Sequence, residues 1–303
     1  MHTLVKTRLR QAWRLSKSAI AAWIDDFAPS MGAALAYYTI FSLAPMLVIV
    51  IAIAGFFFGH EAAQGEIVAQ LHDLVGDTAA TAVESVLKSA SQPGQGVIAA
   101  AVGIVTLLIG ASAVFGELQS ALDRIWKVEV KKKGGLRALI FKRLLSFGMV
   151  LGLGFMLMVS LILSAALAAF AKWWSGMLGG WTIVLEALNF VVSFGVITGL
   201  FAMIYKFMPS TRIPWRDVWV GAIVTALLFT IGKSAIGIYL GTTNMASGFG
   251  AAGSLVVLLA WVYYSAQIFL LGAEFTWVFA KHHGSQSERH VAIHTTAQSQ
   301  SPP

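Results

Sequence analysis

Six long apolar stretches alternate with polar segments along the chain. Each stretch is longer than the roughly 20 residues that an α-helix needs to cross a ~30 Å hydrocarbon core. The pattern therefore predicts an all-α fold, an integral membrane bundle of six transmembrane helices. The stretches cover residues 28–58, 97–120, 144–170, 182–205, 217–240 and 250–280.

An amphipathic segment precedes the first stretch. Residues 4–27 carry apolar side chains at mostly helical spacings with Arg and Lys between them. This pattern fits a basic helix on the anionic cytoplasmic leaflet, and it fits equally a lead-in helix packed on the bundle. The apolar run is short and meets Asp25 and Asp26, and no small-residue cleavage site follows it, so we expect the segment to be retained. The predicted division is a cytoplasmic lead-in at 1–27, a six-span membrane domain at 28–281 and a disordered tail at 282–303.

Two short helices are predicted between the first and second stretches. Residues 59–96 are acidic and carry one apolar face with Ile67 and Leu71 and another with Val83 and Leu87. We expect these amphipathic helices to lie on the outer side of the bundle.

Basic residues are sorted by segment, and the sorting predicts orientation. Of the 21 Lys and Arg residues, 18 lie in four segments that alternate with segments nearly devoid of them. The positive-inside rule then predicts that both termini are cytoplasmic. Lys233 is the single base inside a span. The four segments, 4–27, 123–143, 206–216 and 281–303, hold 5, 8, 3 and 2 bases.

Composition supports a lipid-embedded protein and predicts no catalytic or metal chemistry. The chain is 57% hydrophobic and 12% charged, against about 25% charged in a typical soluble domain. The absence of Cys excludes disulfides, thiolate metal sites and a cysteine nucleophile. The +7 charge follows topology and does not indicate a nucleic-acid partner. We expect no metal, no cofactor and no enzymatic activity, since motifs for zinc, phosphate-loop or nucleophile-elbow chemistry are missing from the sequence.

Charges inside the membrane are the first candidates for function. Glu186 and Lys233 both fall in the outer third of their spans, Lys233 about 24 Å from the cytoplasmic end at 1.5 Å per residue. They can form an ion pair between helices. In a functional interpretation this pair belongs to a polar pathway or to a site for a charged headgroup. In a structural interpretation the two charges only neutralise each other, or Lys233 snorkels to the outer interface. Glu117 and Glu274 lie near cytoplasmic helix ends, where anchoring by basic partners is favoured. The bases nearest to those ends are Arg124, Arg143 and Lys281.

Prolines and glycines suggest kinks, a broken segment and close helix packing. Pro45 lies inside the first span and predicts a kink or a hinge. The run 247–254, with Gly250 and Gly253, predicts either a re-entrant segment or a flexible connector. Three Gly-x-x-x-Gly spacings predict close helix approach: Gly148 and Gly152, Gly195 and Gly199, and Gly237 and Gly241.

Three motifs resemble the YihY/BrkB family of bacterial inner-membrane proteins, and the resemblance covers about 27–281. The resemblance implies six spans. Some members were labelled ribonuclease BN, a function for which these residues supply no metal site, and others are linked to serum-resistance virulence factors. The motifs are Ala34-Leu35-Ala36-Tyr37-Tyr38-Thr39-Ile40-Phe41-Ser42-Leu43-Ala44-Pro45, then Phe207-Met208-Pro209-Ser210 with Pro214-Trp215-Arg216-Asp217, and last Gly250-Ala251-Ala252-Gly253-Ser254 with Trp261-Val262-Tyr263-Tyr264-Ser265-Ala266-Gln267-Ile268 and Gly272-Ala273-Glu274.

The function predicted from these features is transport, or the handling of lipid or other envelope components. The alternative is a non-catalytic scaffold that recruits envelope partners through 123–143 and the helices at 60–90, and a ribonuclease is disfavoured. Expected partners are membrane lipids, with a homo-oligomer or an envelope protein as a further possibility. The candidate polar pathway comprises Glu186, Lys233, Glu274, Tyr37, Tyr38 and Gln267, and the candidate hinges are Pro45, Gly250 and Gly253.

Overall fold

A computed structural model of the chain describes residues 2–75, 77–90, 97–128, 182–242, 252–282 and 284. Within these ranges the regular structure is helical and no strand occurs, in agreement with the all-α prediction. The helices are α1 (His2–Asp25), α2 (Ala28–Phe58), α3 (His60–Val75), α4 (Asp77–Ala90), α5 (Val97–Ile125), α6 (Thr182–Phe207), α7 (Trp215–Thr242) and α8 (Gly253–His282).

Three of the described helices are long and apolar enough to cross a membrane. These are the segment Phe190–Phe207 of α6, all of α7 and all of α8. Helix α2 has the bounds predicted for the first apolar stretch, and α5 continues five residues past its predicted end at 120. The predicted stretch at 144–170 lies outside the described residues, as do the connector at 243–251 and the tail after 284.

The chain divides into two compact units. The first unit comprises Met1–Ala28, Gln119–Leu228 and Phe269–Pro303, and the second comprises Pro29–Leu118 and Phe229–Ile268.

In the first unit, α7 and α8 interlock through two glycine–threonine pairs. A Cβ atom on Gly221 would lie 1.8 Å from Thr276 Oγ1, and one on Gly272 would lie 2.0 Å from Thr225 Oγ1. Each hydroxyl donates a hydrogen bond to the carbonyl of the glycine one turn earlier, Thr225 to Gly221 at 2.8 Å and Thr276 to Gly272 at 2.7 Å. The missing side chains let the helices approach closely, as small residues do in membrane helices.

A buried tyrosine joins three helices of the first unit. Tyr205 Oη donates to the carbonyl of Phe269 at 2.8 Å and lies 3.0 Å from Thr225 Oγ1. The Tyr205 and Phe269 rings also contact each other, with centroids 5.1 Å apart. The phenol thus donates a hydrogen bond in the interior, and its contacts link α6 to both α7 and α8.

Helix α5 holds the turn between α6 and α7. Asp123 accepts hydrogen bonds from the backbone N–H of Ser210 at 2.6 Å and from its hydroxyl at 2.7 Å. Gln119 donates to the carbonyl of Met208 at 3.2 Å. Two side chains from one face of α5 thus fix the backbone of this turn, and Asp123 is buried at the contact.

The second unit has a core drawn from four helices. The short helix α4 buries Val83 and Leu87, and Ile67 and Leu71 of α3 pack against the same cluster. The two short helices predicted between the first and second stretches are therefore confirmed as helices, with the predicted residues on their packed faces. The cluster consists of Leu47, Ile51, Ala82, Val83, Leu87, Ile236, Leu240, Val257 and Leu258.

Close helix approach in the second unit involves glycines outside the predicted Gly-x-x-x-Gly spacings. A Cβ atom on Gly32 would lie 1.9 Å from Gln267 Nε2, and one on Gly110 would lie 2.8 Å from Ser42 Cβ.

Two of the predicted packing glycines are not used in this way. Within the described part of the chain, nothing lies within 4 Å of a Cβ atom placed on Gly195 or Gly237. The prediction of close approach at these two positions was wrong for the described residues, because spacing alone does not say which face of a helix meets a neighbour. Gly148 and Gly152 lie outside the described residues.

Candidate functional site

Two helices of the first unit end in residues with left-handed backbone conformation. Helix α5 is followed by Lys127, which has φ 51°. The N–H of Lys127 donates to the carbonyl of Arg124 at 3.0 Å. The N–H of Val128 donates to the carbonyl of Asp123 at 2.9 Å. These two bonds form a Schellman motif, in which glycine is usual at the left-handed position. Helix α1 is followed by Phe27 (φ 58°). Lysine is uncommon at this left-handed position, which glycine usually occupies.

The Lys127 ammonium forms an ion pair with Asp26. It donates to both carboxylate oxygens of Asp26, at 2.6 Å for Oδ2, and the bond to Oδ1 is also short. The two residues lie 101 positions apart in the sequence. The Lys127 side chain is 51% exposed, whereas that of Asp26 is only 9% exposed. The pair therefore begins at the surface and ends in the interior.

Glu274 lies at the buried end of this pair. It is 0% exposed, and neither carboxyl oxygen has a hydrogen-bond partner among the described residues. Its carboxyl lies beside Asp26 and within electrostatic reach of Lys127 and Asp25. Asp26, Lys127 and Glu274 form what we call the carboxyl cluster.

Aromatic rings border the carboxyl cluster on its basic side. Lys127 Nζ lies 5.5 Å from the centre of the Trp277 ring, and Lys281 Nζ lies 5.1 Å from the same centre. Arg124 lies 5.7 Å from the centre of the Phe27 ring. Cations at these distances are stabilised by the ring face. Arg124, Arg143 and Lys281 are the bases expected near Glu274. Among the described residues, the base that acts electrostatically on that carboxyl is instead Lys127, and Arg143 lies outside the described residues.

The predicted site residues are distributed over both units. Glu274 lies in the first unit, whereas Lys233, Tyr37, Tyr38 and Gln267 lie in the second. Lys233 is half-buried on α7, and Tyr37 and Tyr38 are exposed on α2 with their rings 5.6 Å apart.

The predicted Glu186–Lys233 pair stays a prediction. Glu186 belongs to α6, but its side chain lies outside the described residues. The same holds for the side chain of Pro45, although α2 continues through that position, and for Gly250 as a whole. Gly253 is described, and it is the buried first residue of α8.

Gln267 shares one feature with Glu274. Its amide oxygen and nitrogen are both buried and have no hydrogen-bond partner in the described ranges. The amide rests against Gly32. A buried amide without partners is costly, by about 1–3 kcal/mol.

The sequence patterns do not single out Asp26 and Lys127 as site residues. Asp26 is one of two acidic residues that follow a short apolar run, and Lys127 is one of eight bases in the segment 123–143. A usable signal existed, because an acidic pair directly before a membrane helix is unusual and carboxylates near a bilayer need partners. Which base would supply that partner depended on the fold. Among the described residues, no group of three or more His, Asp or Glu side chains is arranged to hold a metal ion.

The chain has long apolar helices, and one of them carries a buried carboxyl beside an ion pair. These features place it in the class of all-helical membrane proteins. The family model described as "Virulence factor BrkB" matches residues 19–294, and the chain belongs to that family. The resemblance found in the sequence motifs is thereby confirmed.

Related proteins carry the description "UPF0761 membrane protein". One from Ralstonia nicotianae is 29% identical over 88% of this chain and 60% of its own length, and one from Verminephrobacter eiseniae is 30% identical over 80% and 56%. A third, from Pseudoalteromonas atlantica, is 30% identical over 80% of this chain and 78% of its own length. The chain thus spans somewhat more than half the length of the first two relatives. No solved structure matches it.

Proposed function

We propose that the protein is a six-span protein of the bacterial inner membrane with both termini in the cytoplasm, and that it transports a charged solute or handles lipid headgroups. Support for six spans comes from the six apolar stretches and from the charge sorting of the polar segments. The helical bounds of α2, α5, α6, α7 and α8 agree with five of those stretches.

The observation that carries the proposed activity is the burial of Glu274. An ionisable group inside a membrane helix is expensive and, by default, indicates a functional site. A purely structural carboxylate would be expected to use its oxygens as hydrogen-bond acceptors. Neither oxygen of Glu274 does so within the described residues, which leaves both available to a proton or a ligand.

The charge of the cluster favours a positively charged species. Among the described residues, the Asp25 and Asp26 carboxyls act electrostatically on Glu274, and Lys127 is the base that pairs with Asp26; Lys281 and Arg124 lie against the bordering rings of Trp277 and Phe27. A proton or a cationic group relieves the repulsion among the carboxyls, whereas an anion adds to it. We therefore propose that proton or cation exchange at Glu274 is coupled to movement of the substrate.

A proton-flux assay on reconstituted protein tests this proposal. Purified protein is placed in liposomes that contain a pH-sensitive dye, and a potassium diffusion potential drives cation entry. Wild type is expected to acidify the lumen above the rate of empty liposomes. Glu274→Gln keeps the shape of the side chain and is expected to reduce that rate at least about tenfold, the loss of one essential proton-transfer group.

The control is Glu84→Gln, which removes an exposed carboxylate from α4. It is expected to leave the flux unchanged. Lipid scrambling is measured on the same liposomes with a labelled phospholipid and an impermeant quencher, and Lys233→Ala is carried through both assays. If wild type shows neither flux nor scrambling, the proposal is refuted and the scaffold interpretation is favoured.

The absence of Cys makes the proposed topology easy to test. Single cysteines replacing Lys17 on α1 and Glu84 on α4 are offered an impermeant maleimide on intact spheroplasts. Labelling is expected at position 84 and not at position 17. The opposite pattern contradicts the orientation.

A further inference from the structure

Helix α1 has two apolar faces, and only one of them packs against the protein. Ala19 is buried and Leu15 and Trp23 are half-buried, which places one face inside the first unit. At 100° per residue, Trp13 and Ile20 lie about 100–120° around the helix from the centre of this buried face. An ordinary surface helix would carry polar residues there.

The outward face of α1 is an apolar stripe. It is formed by Trp13 (73% exposed), Ile20 (49%) and Ile24 (59%), and Phe27 (62%) continues it past the end of the helix. These residues recur at seven, four and three positions, so they share one side of α1. Large apolar side chains that are exposed together mark a surface that binds a partner or a membrane.

A row of basic residues runs along one edge of the stripe. Arg10, Arg14 and Lys17 are all exposed, and their helical angles place them next to Trp13 and Ile20, away from the buried face. Helices of this kind, with an apolar stripe beside a basic row, lie in the interface of membranes that contain anionic lipids. At the end of the stripe, Arg124 stacks on Phe27 and adds a fourth base.

We propose that the outward face of α1 docks on the anionic surface of the bilayer, with the apolar stripe in the acyl boundary and the basic row at the phosphates. The two interpretations left open by the sequence, docking on the leaflet and packing on the bundle, are combined in this proposal, because different faces of the same helix serve them. The proposal is independent of the transport activity proposed above, since it rests on different residues and a different surface.

Site-directed labelling of the full-length protein in nanodiscs tests this docking. Because the chain lacks Cys, a spin label can be placed at Ile20 on the stripe or at Ser18. Ser18 is exposed but lies about 160° away around the helix. In discs with one third phosphatidylglycerol, the label at position 20 is expected to be accessible to oxygen and shielded from a water-soluble nickel complex. The label at position 18 is expected to show the reverse.

A charge variant separates the contribution of the basic row. Arg10→Gln, Arg14→Gln and Lys17→Gln together leave the stripe intact. Each base is worth about a fivefold change in the attachment equilibrium at low ionic strength. The label at position 20 is therefore expected to gain several-fold in nickel accessibility in the same discs.

Two results would overturn the proposal. In one, labels at positions 18 and 20 show equal nickel accessibility in anionic discs. In the other, the label at position 20 is shielded regardless of lipid charge and shows dipolar coupling to the same label on a second copy of the chain. That second result would assign the stripe to a second copy of this chain.

Discussion

Replacing Gly221 by alanine tests the interlock of α7 and α8 in the first unit. The new Cβ atom would lie 1.8 Å from Thr276 Oγ1, 2.7 Å from its Cβ and 2.8 Å from its Cγ2. A non-bonded contact needs about 3.5 Å, so Thr276 and the new methyl group must separate by roughly 1.7 Å. Rotation of Thr276 brings its methyl into the same space and breaks its hydrogen bond to Gly272.

The expected cost follows from these two effects. Overpacking costs about 1–3 kcal/mol, and a lost hydrogen bond about 0.5–1.5 kcal/mol. We expect Gly221→Ala to lower the free energy of unfolding by about 2–4 kcal/mol relative to Gly237→Ala. Gly237 is the matched control because it lies on the same helix, and nothing in the described ranges lies within 4 Å of a Cβ atom there. Both changes gain the same helix propensity, about 1 kcal/mol.

Tryptophan fluorescence during denaturant titration in mixed micelles measures the difference. Adding Thr276→Ala to Gly221→Ala removes Oγ1 and Cγ2 but leaves the Cβ contact at 2.7 Å, so only partial recovery is expected. Equal stability of the Gly221→Ala and Gly237→Ala proteins, within about 0.5 kcal/mol, would show that the helices are not in contact at this point.

Two further substitutions test local geometry. Gly32→Ala should destabilise the protein by about 1–3 kcal/mol. Adding Gln267→Ala should restore stability, because the three atoms nearest to the new Cβ all belong to the Gln267 side chain; a double variant as unstable as the single one would place other atoms in the way. Gly59→Ala should cost about 1 kcal/mol, because Gly59 has φ 86° with open space around it. Gly65 is an exposed residue in the middle of α3, and Gly65→Ala should instead raise the stability of the protein by up to about 1 kcal/mol in thermal unfolding. If Gly65→Ala lowered the stability as much as Gly59→Ala does, the argument from the left-handed backbone of Gly59 would be wrong.

Local patterns predicted the helices well. The bounds of α2 were predicted from the length of its apolar stretch, because a helix that crosses a bilayer needs a continuous apolar run. Helices α3 and α4 were predicted from the helical spacing of Ile67 with Leu71 and of Val83 with Leu87. Such properties need only a window of neighbouring residues. Family membership was also readable from short motifs, and it was confirmed over 19–294.

The packing glycines show where local patterns fail. The Gly-x-x-x-Gly spacing predicts close helix approach at Gly195 and Gly237, because a second glycine lies four residues from each. The close contacts are instead made at Gly221 and Gly272, each of which packs against a threonine. Both spacings put two small residues on one side of a helix. Only the rotation of that helix against its neighbour decides whether the side is buried.

The sequence by itself determined that this protein is helical, lipid-embedded and a member of its family, because length, hydropathy and motif are properties of contiguous residues. It also singled out Glu274 as a charge inside a helix. Only the tertiary structure decided that Glu274 meets Asp26 and Lys127, two residues 101 positions apart. A shift of one residue turns a helix by 100°, so contacts between distant segments depend on a rotation and register that no local pattern records.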